Sequence, residues 1–546
     1  MYLSRRAFVQ YAAVTGLATP LAARSVSAST PPPGPAPAPY APPPPFELDE
    51  ITIVQLQDGL KSGKYTSRRL VSAYLARIQQ VDASGPTLRA VIETNPDALA
   101  LADAADAERK AGRVRGPLHG IPVLIKDNIA TGDHMKTTAG SLALADAPAP
   151  RDSAVAKRLR DAGAIIIGKT NLSEWANFRS SHSVSGWSGR GGLVKNPYAL
   201  DRNACGSSSG TGAAISASLA AVGVGSETDG SIVCPSGANS LVGIKPTLGL
   251  VSRRGIIPIS HTQDTAGPMA RTVADAAALL GVLAGVDPDD AATAAAGGHL
   301  EADYTKFLDP NGLKGARIGV ARAKFFGYST VTDTLVQQAL DAMKQAGAVI
   351  VDPADIPHIG DYDDAEFTVL LYEFKADLNA YLAGLGPQAP NKTLADLIAW
   401  NDKNQDRELQ YFGQETFTLA QDKGPLTDDA YIEALAHCRR LSRTEGLDVI
   451  FAKQKLDCIV APTGSPAWTT DLVNGDHFLG ASSTPAAVSG YPSISVPVGY
   501  ARGLPVGMSF IGTAWSEATL IRLAYAYEQA VKPRRAPRFL PTADLS

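Results

Sequence analysis

Leu70, Val71, Tyr74, Leu75, Ile78 and Val81 recur at helical spacing behind Thr66, a residue type that caps helix starts, and predict an opening helix. Beyond it, short apolar runs alternate with helical stretches: Pro122 to Ile125, Ala164 to Ile167, Arg317 to Val320, Ala348 to Val351, Leu456 to Val460, Ile494 to Val498 and Met508 to Ile511. Runs of this length bounded by Gly, Pro or Asp suit buried strands. Strands alternating with helices predict an α/β fold, with α/β/α layers around a large mixed β-sheet. From about 360 to 445 the pattern changes to Leu, Tyr, Asp and Gln at helical spacing with few β-branched residues, which predicts a helical excursion over one edge.

Composition adds limits. The 546 residues carry a net charge of −4 without long runs of one sign, which gives no basic footprint for nucleic acid and no polybasic surface for a membrane. A small molecule or short peptide is the expected partner, and oligomeric state is unreadable. Arg5 and Arg6 precede an apolar stretch from Phe8 to Ala23 and a small-residue exit at Val26, Ser27 and Ala28. Residues 1–28 are therefore expected to be an export signal of the twin-arginine type, giving a periplasmic or extracellular protein. Residues 29–45 follow as a Pro-rich tether, and 46–546 as a single folded domain. Cys205, Cys234, Cys438 and Cys458 show no metal-ligand spacing, so no metal site is expected. Folding before export predicts free thiols.

Two short motifs match literally. Gly163, Gly168, Lys169 and Thr170 fit the phosphate-loop pattern, but the three isoleucines between the glycines favour a strand where the loop must turn. Gly206, Ser208 and Gly210 fit the nucleophile elbow of an α/β-hydrolase. The segment before them, NPYALDRNAC, reads as polar and turn-like. His261, His299, His358, His437 and His477 stand in no motif and read as surface or satisfied polar residues.

A longer constellation competes with both. GSSSGTGAAISASLAA begins as a Gly/Ser turn and continues as a small-residue helix from about Gly210 to Ala221. A second turn follows at Thr228, Asp229, Gly230 and Ser231, where glycine lets backbone N–H groups approach a ligand. Lys126 ends the run PVLI and is expected at the rim of a sheet. These residues, with HGIPVLIKDNI, IIGKTNLSEWANF, CGSSSG, SETDGSIVCPSGANSLVGIKPT, GPMARTVADAA, DCIVAPT, YPSISVPVG and GLPVGMSFIG in order, resemble the amidase signature family over about residues 50 to 530. The wording SEWANF, CGSSSG and ETDGSIVCP is similar to that of bacterial peptide amidases.

The resemblance implies the amidase signature fold and assigns the nucleophile to Ser231, the bridging serine beside a cis peptide bond to Ser207, and the base to Lys126. Many relatives read GGSSGG and GGS where this chain reads CGSSSG and DGS, so the register rests on the 24-residue spacing from Ser207 to Ser231. Backbone N–H groups of Thr228, Asp229, Gly230 and Ser231 are implied as the oxyanion donors, with Ser208 either hydrogen-bonding in the site or serving only the turn. Asp127 and Asn128 are expected to orient the lysine turn. The stretch Arg179 to Gly192 is expected either to line the entrance, with Trp187 as a hydrophobic wall, or to be a plain surface loop.

The implied activity is hydrolysis of carboxylic acid amides without metal or organic cofactor, on C-terminal peptide amides or amino acid amides. An aryl acylamidase or carbamate-cleaving amidase is the alternative within the class. A histidine-dependent esterase using Ser208 and a catalytically dead binding protein are the alternatives outside it.

Overall fold

The computed structural model describes residues 43–545, so the expected signal segment and nearly all of the Pro-rich tether lie outside the described residues. Its centre is an 11-stranded sheet. In spatial order the strands are Val91–Thr94, Ile165–Thr170, Pro122–Lys126, Val222–Glu227, Thr265–Ala270, Val242–Lys245, Ser493–Ala501, Leu504–Ile511, Cys458–Pro462, Arg317–Val320 and Val349–Val351. Pro122–Lys126 runs parallel to both its neighbours, and the strands from Val222–Glu227 through Cys458–Pro462 pair antiparallel. Arg317–Val320 is parallel to both of its neighbours, so the sheet is mixed as the alternation of elements predicted.

The helix predicted behind Thr66 forms at Ser67–Arg77, with the Thr66 side chain accepting from Arg69 N and with Leu70, Val71 and Tyr74 buried, but it is not the opening one, because the helix Ile53–Ser62, which the reading missed, precedes it. All seven apolar runs become strands. Four strands of the large sheet were not read from the pattern: Val91–Thr94, Val222–Glu227, Val242–Lys245 and Thr265–Ala270. The polar segment before the serines also differs from its reading as a turn, because Ala199–Asn203 is a short strand paired with Lys195–Asn196 outside the large sheet.

Ser209–Ser216, shorter than expected, is a helix whose every residue is buried. It packs on Val222–Glu227, and its small side chains let it come close. A Cβ on Gly225 would fall 2.8 Å from both Ser208 Oγ and Met269 Sδ, so that strand tolerates no side chain there. Between 360 and 445 lie the helices Asp363–Gly384, Leu394–Lys403, Gln405–Glu408, Glu415–Gln421 and Asp429–Arg439, whose inner faces bury Phe374, Leu378, Leu397 and Phe417. Among the described residues no helix is long and apolar enough to cross a membrane.

Candidate active site

Lys126 closes its strand at the sheet rim, wholly buried, with Nζ 2.7 Å from Ser207 Oγ. Nζ also meets Ser226 O at 3.2 Å and Ser226 Oγ at 3.0 Å. Asn128 Nδ2 donates to the same Ser226 hydroxyl at 2.9 Å. Ser226 thus anchors the lysine, and sequence reasoning missed it; its only signal was a place beside ETDGS at the end of an unrecognised strand. Burial pushes the Lys126 ammonium down to about 7, against the opposing fields of Asp264 and Glu227.

Asp127 turns the other way, taking hydrogen bonds from Thr138 and Gly140 N and pairing with Arg190 at 3.2 Å. It holds the lysine turn from behind.

The two serine turns meet. Ser208 N donates to Ser231 O at 3.1 Å, and Ser173 N donates to Ser207 O at 3.0 Å. The Gly206–Ser207 peptide bond is cis. Cys205 and Cys234 form a disulfide, which overturns the expectation of free thiols at these positions. The physical reason is the contact of the turns, which brings the two Cα atoms to 5.9 Å and within bridging distance. Cys438 and Cys458 are buried free thiols.

In the second turn, Gly230 has φ of +80° and a Cβ there would meet Ser483 Oγ at 2.9 Å, so glycine satisfies both the backbone and the space. The carboxylate of Glu227 takes the N–H groups of Ile232 and Val233. The N–H groups of Asp229, Gly230 and Ser231 donate to no acceptor among the described residues and remain available to a developing oxyanion. The Asp229 side chain accepts from Thr484 Oγ1 at 2.7 Å, and Thr228 Oγ1 donates to Asp264 at 2.6 Å. Burial pushes the Asp264 carboxyl up to about 6.

Two cavities flank this centre. A cleft of about 510 Å³ is lined by Gly206, Gly230 and the disulfide, by serines of the 180–185 loop, and by Trp468 and Phe478, whose rings meet edge to face at 5.6 Å. A chamber of about 10 Å³, the room of a single water-sized molecule, is lined by Ser207, Ser226, Thr228, Asp264 and Ile256, Ile257 and Ile259. Sequence neighbours divide between the two. Asn177, Gly206 and Asp229 line the cleft, whereas Ala176, Ser207 and Thr228 line the chamber.

The serine loop is pinned by carboxylates from distant segments. Glu415 accepts from Ser180 Oγ and Ser181 N, and Asp476 from Ser185 N and Trp468 Nε1. Trp187, expected either as a hydrophobic wall of the entrance or in a plain surface loop, is buried against Tyr411 and Phe412 and does not line the cleft.

The competing motifs dissolve in the geometry. Lys169 lies in the strand Ile165–Thr170 and donates to Ile129 O at 2.7 Å and Thr137 Oγ1 at 2.9 Å, so no phosphate loop forms. Ser208 Oγ donates to Ser226 O at 3.0 Å and accepts from Ser226 N at 3.2 Å, and no histidine is among its partners.

His261, Glu373 and Asp377 bring potential ligand atoms within 4.8 Å of one another. Their contacts are internal: His261 Nδ1 lies 2.9 Å from Asp377, while Ser260, Thr262 and Tyr431 donate to Glu373. The group ties the 259–264 loop to the helix Asp363–Gly384.

A buried lysine hydrogen-bonded to a serine, beside a turn of unengaged N–H groups, is equipped to activate a hydroxyl and stabilise a tetrahedral oxyanion. The comparisons agree with that chemistry. The family model described as Amidase matches residues 69–521. A probable amidase of Arabidopsis thaliana is 42% identical over 504 residues, covering 91% of this chain and 93% of its own. The native peptide amidase of Stenotrophomonas maltophilia shares 52% identity at a TM-score of 0.87, covering 91% of this chain and 100% of its own. An amidase family protein of Bacillus anthracis shares 36% identity at a TM-score of 0.82, covering 90% and 93%. The chain belongs to the amidase family and is an amide-hydrolysing enzyme.

Proposed function

We propose that this enzyme hydrolyses the terminal primary amide of peptides or amino acid amides, releasing ammonia, through Lys126, Ser207 and Ser231. Neutral Lys126 takes the Ser207 proton while Ser207 takes that of Ser231, whose oxygen attacks the amide carbon. The N–H groups of the 228–231 turn hold the oxyanion. The proton returns through Ser207 to the departing amine, leaving an ester on Ser231, and water then cleaves that ester to the carboxylic acid.

The observation that carries this reading is the asymmetry of the two cavities. A cleft of about 510 Å³ suits an extended acyl group, and in this reading the amine departs on the side of the chamber beside Ser207, whose volume of about 10 Å³ has room for ammonia and not for an aromatic amine. That size difference favours primary amides over anilides. Export is proposed from the composition of residues 1–28, and in that reading the disulfide beside the site closes after transport, in an oxidising compartment.

The test is turnover of a peptide amide, the matching anilide and the matching ester by wild type and Ser231→Ala. Ammonia release from the peptide amide, little or no anilide cleavage, and loss of activity in the variant are expected. Unchanged activity in Ser231→Ala, or preferred anilide cleavage, overturns the proposal.

A further inference from the structure

Trp175, Ala176 and Asn177 take φ of 49°, 53° and 70° in succession, a left-handed turn that residues bearing a Cβ adopt rarely and asparagine more readily than most. Trp175 N donates to Ala139 O and Phe178 N to Trp175 O, while the Trp175 ring packs edge-on against Phe417. The turn sits at the partition between the two cavities, with Ala176 on the chamber and Asn177 on the cleft. A Cβ built on Gly206 would lie 3.4 Å from Asn177 Nδ2, so the carboxamide rests over the residue preceding Ser207.

That carboxamide is largely unused. Nδ2 makes one long contact, 3.3 Å to Ser185 Oγ, and Oδ1 has no partner in the protein. An acceptor left buried and unpartnered on a residue that lines the cleft calls for an N–H donor. An acyl group from a peptide or amino acid carries such a donor on its α-nitrogen, one bond from the carbon that bears the scissile amide; a simple fatty or aromatic amide does not. The terminal amide torsion of asparagine is broad, so its oxygen can turn to that nitrogen at little cost.

We infer that Asn177 is a specificity residue that reads the α-nitrogen of the acyl group, its Oδ1 accepting the substrate N–H. This rests on the terminal-amide reading above and adds the feature by which peptide-derived acyl groups are chosen.

The test compares N-acetyl-leucinamide with 4-methylpentanamide, which keeps the side chain and the primary amide but lacks the α-nitrogen, and with N-acetyl-N-methyl-leucinamide, which lacks only the N–H. Wild type, Asn177→Gly and Asn177→Asp are assayed. Glycine occupies the left-handed region freely, so that variant deletes the carboxamide and keeps the turn; aspartate keeps an acceptor oxygen. Expected is a fall in kcat/KM of about tenfold for Asn177→Gly on N-acetyl-leucinamide, carried mainly by KM, with under about twofold change on 4-methylpentanamide. Asn177→Asp keeps most of the preference, and N-methylation costs wild type a similar factor. Equal losses on both substrates in Asn177→Gly, or a preference that survives it, overturn the role of Asn177 while leaving amide hydrolysis intact. A wild type that cleaves no primary amide overturns the functional reading and this inference together.

Discussion

Lys126 Nζ lies 2.7 Å from Ser207 Oγ, and neither side chain is exposed to solvent. Because burial brings the ammonium down to about 7, neutral amine is abundant at ordinary pH. The rate kcat/KM should therefore rise with pH through an apparent pKa near 7 and then level. Lys126→Arg, which cannot lose its proton, should be inactive across the range. A wild-type profile flat from about pH 6 to about pH 9 would rule out Lys126 as the base.

The same burial has a consequence for stability. The folded value of about 7 lies below the ordinary 10.5, so between them the unfolded chain holds a proton that the folded chain lacks. Stability from this group then rises with pH across that window and is unchanged below it. Lys126→Met removes the titration. The difference in unfolding free energy should move toward wild type by about 1.4 kcal/mol per pH unit within the window. Denaturant titrations giving parallel pH profiles for the two proteins would contradict this.

The neighbouring serines Ser207 and Ser208 separate cleanly by their partners. Ser207→Ala removes the group next to Lys126 and should lower kcat by about 10²- to 10⁴-fold. Ser208→Ala loses two hydrogen bonds to the Ser226 backbone and should cost about 1–3 kcal/mol of stability with a far smaller loss of rate. Rates and unfolding curves of the two variants check both statements. If Ser208→Ala is the one that abolishes turnover, the relay has been assigned to the wrong hydroxyl.

The fold was legible where apolar residues run together and obscure where backbone packing decides. Arg317–Val320 reads as a strand because its side chains carry the signal. Val222–Glu227 alternates valine with glycine, and Gly223 and Gly225 are small because Thr211, Ile215, Ser208 and Met269 press against them. Thr265–Ala270 contains Pro268, which argues against a central strand, yet it pairs on both sides. Lys126 and Ser207, which the structure brings within 2.7 Å, stand in contiguous sequence blocks that advertise them. Ser226 becomes the lysine anchor through the parallel pairing of Pro122–Lys126 with Val222–Glu227, and the Cys205–Cys234 bridge closes when the two serine turns meet, both long-range events that local pattern does not decide.

The bridge spans 29 positions and ties together the turns that carry Ser207 and Ser231. Closing a loop of that length in the unfolded chain accounts for about 3.5 kcal/mol of stability in the chain-entropy account. Cys205→Ser with Cys234→Ser should therefore unfold at a lower temperature and lose activity at temperatures where it is still folded, because the turns lose their tie. Thermal scans and rates measured together separate the two effects. A double variant with wild-type rates would show that the Ser208 N to Ser231 O contact suffices to align the turns.

Ile257 lines the small chamber beside Ser207 and is nearly inaccessible to solvent. If the departing amine passes through that chamber, its volume sets how large the amine can be, and Ile257 is one of three isoleucines that wall it. Ile257→Ala removes three carbons and should admit the methylamine of a peptide N-methylamide that wild type turns over poorly. The ratio of kcat/KM for N-methylamide to primary amide should rise at least about tenfold, within the discrimination that a methylene-sized change in a pocket provides. The same substitution should cost about 2–5 kcal/mol of stability, so Ile257→Val, at about 0.5–1.5 kcal/mol, serves as the milder companion with a smaller shift in the same direction. An unmoved ratio in both variants would mean that the amine leaves by the cleft, and the size argument for primary amides would fall with it.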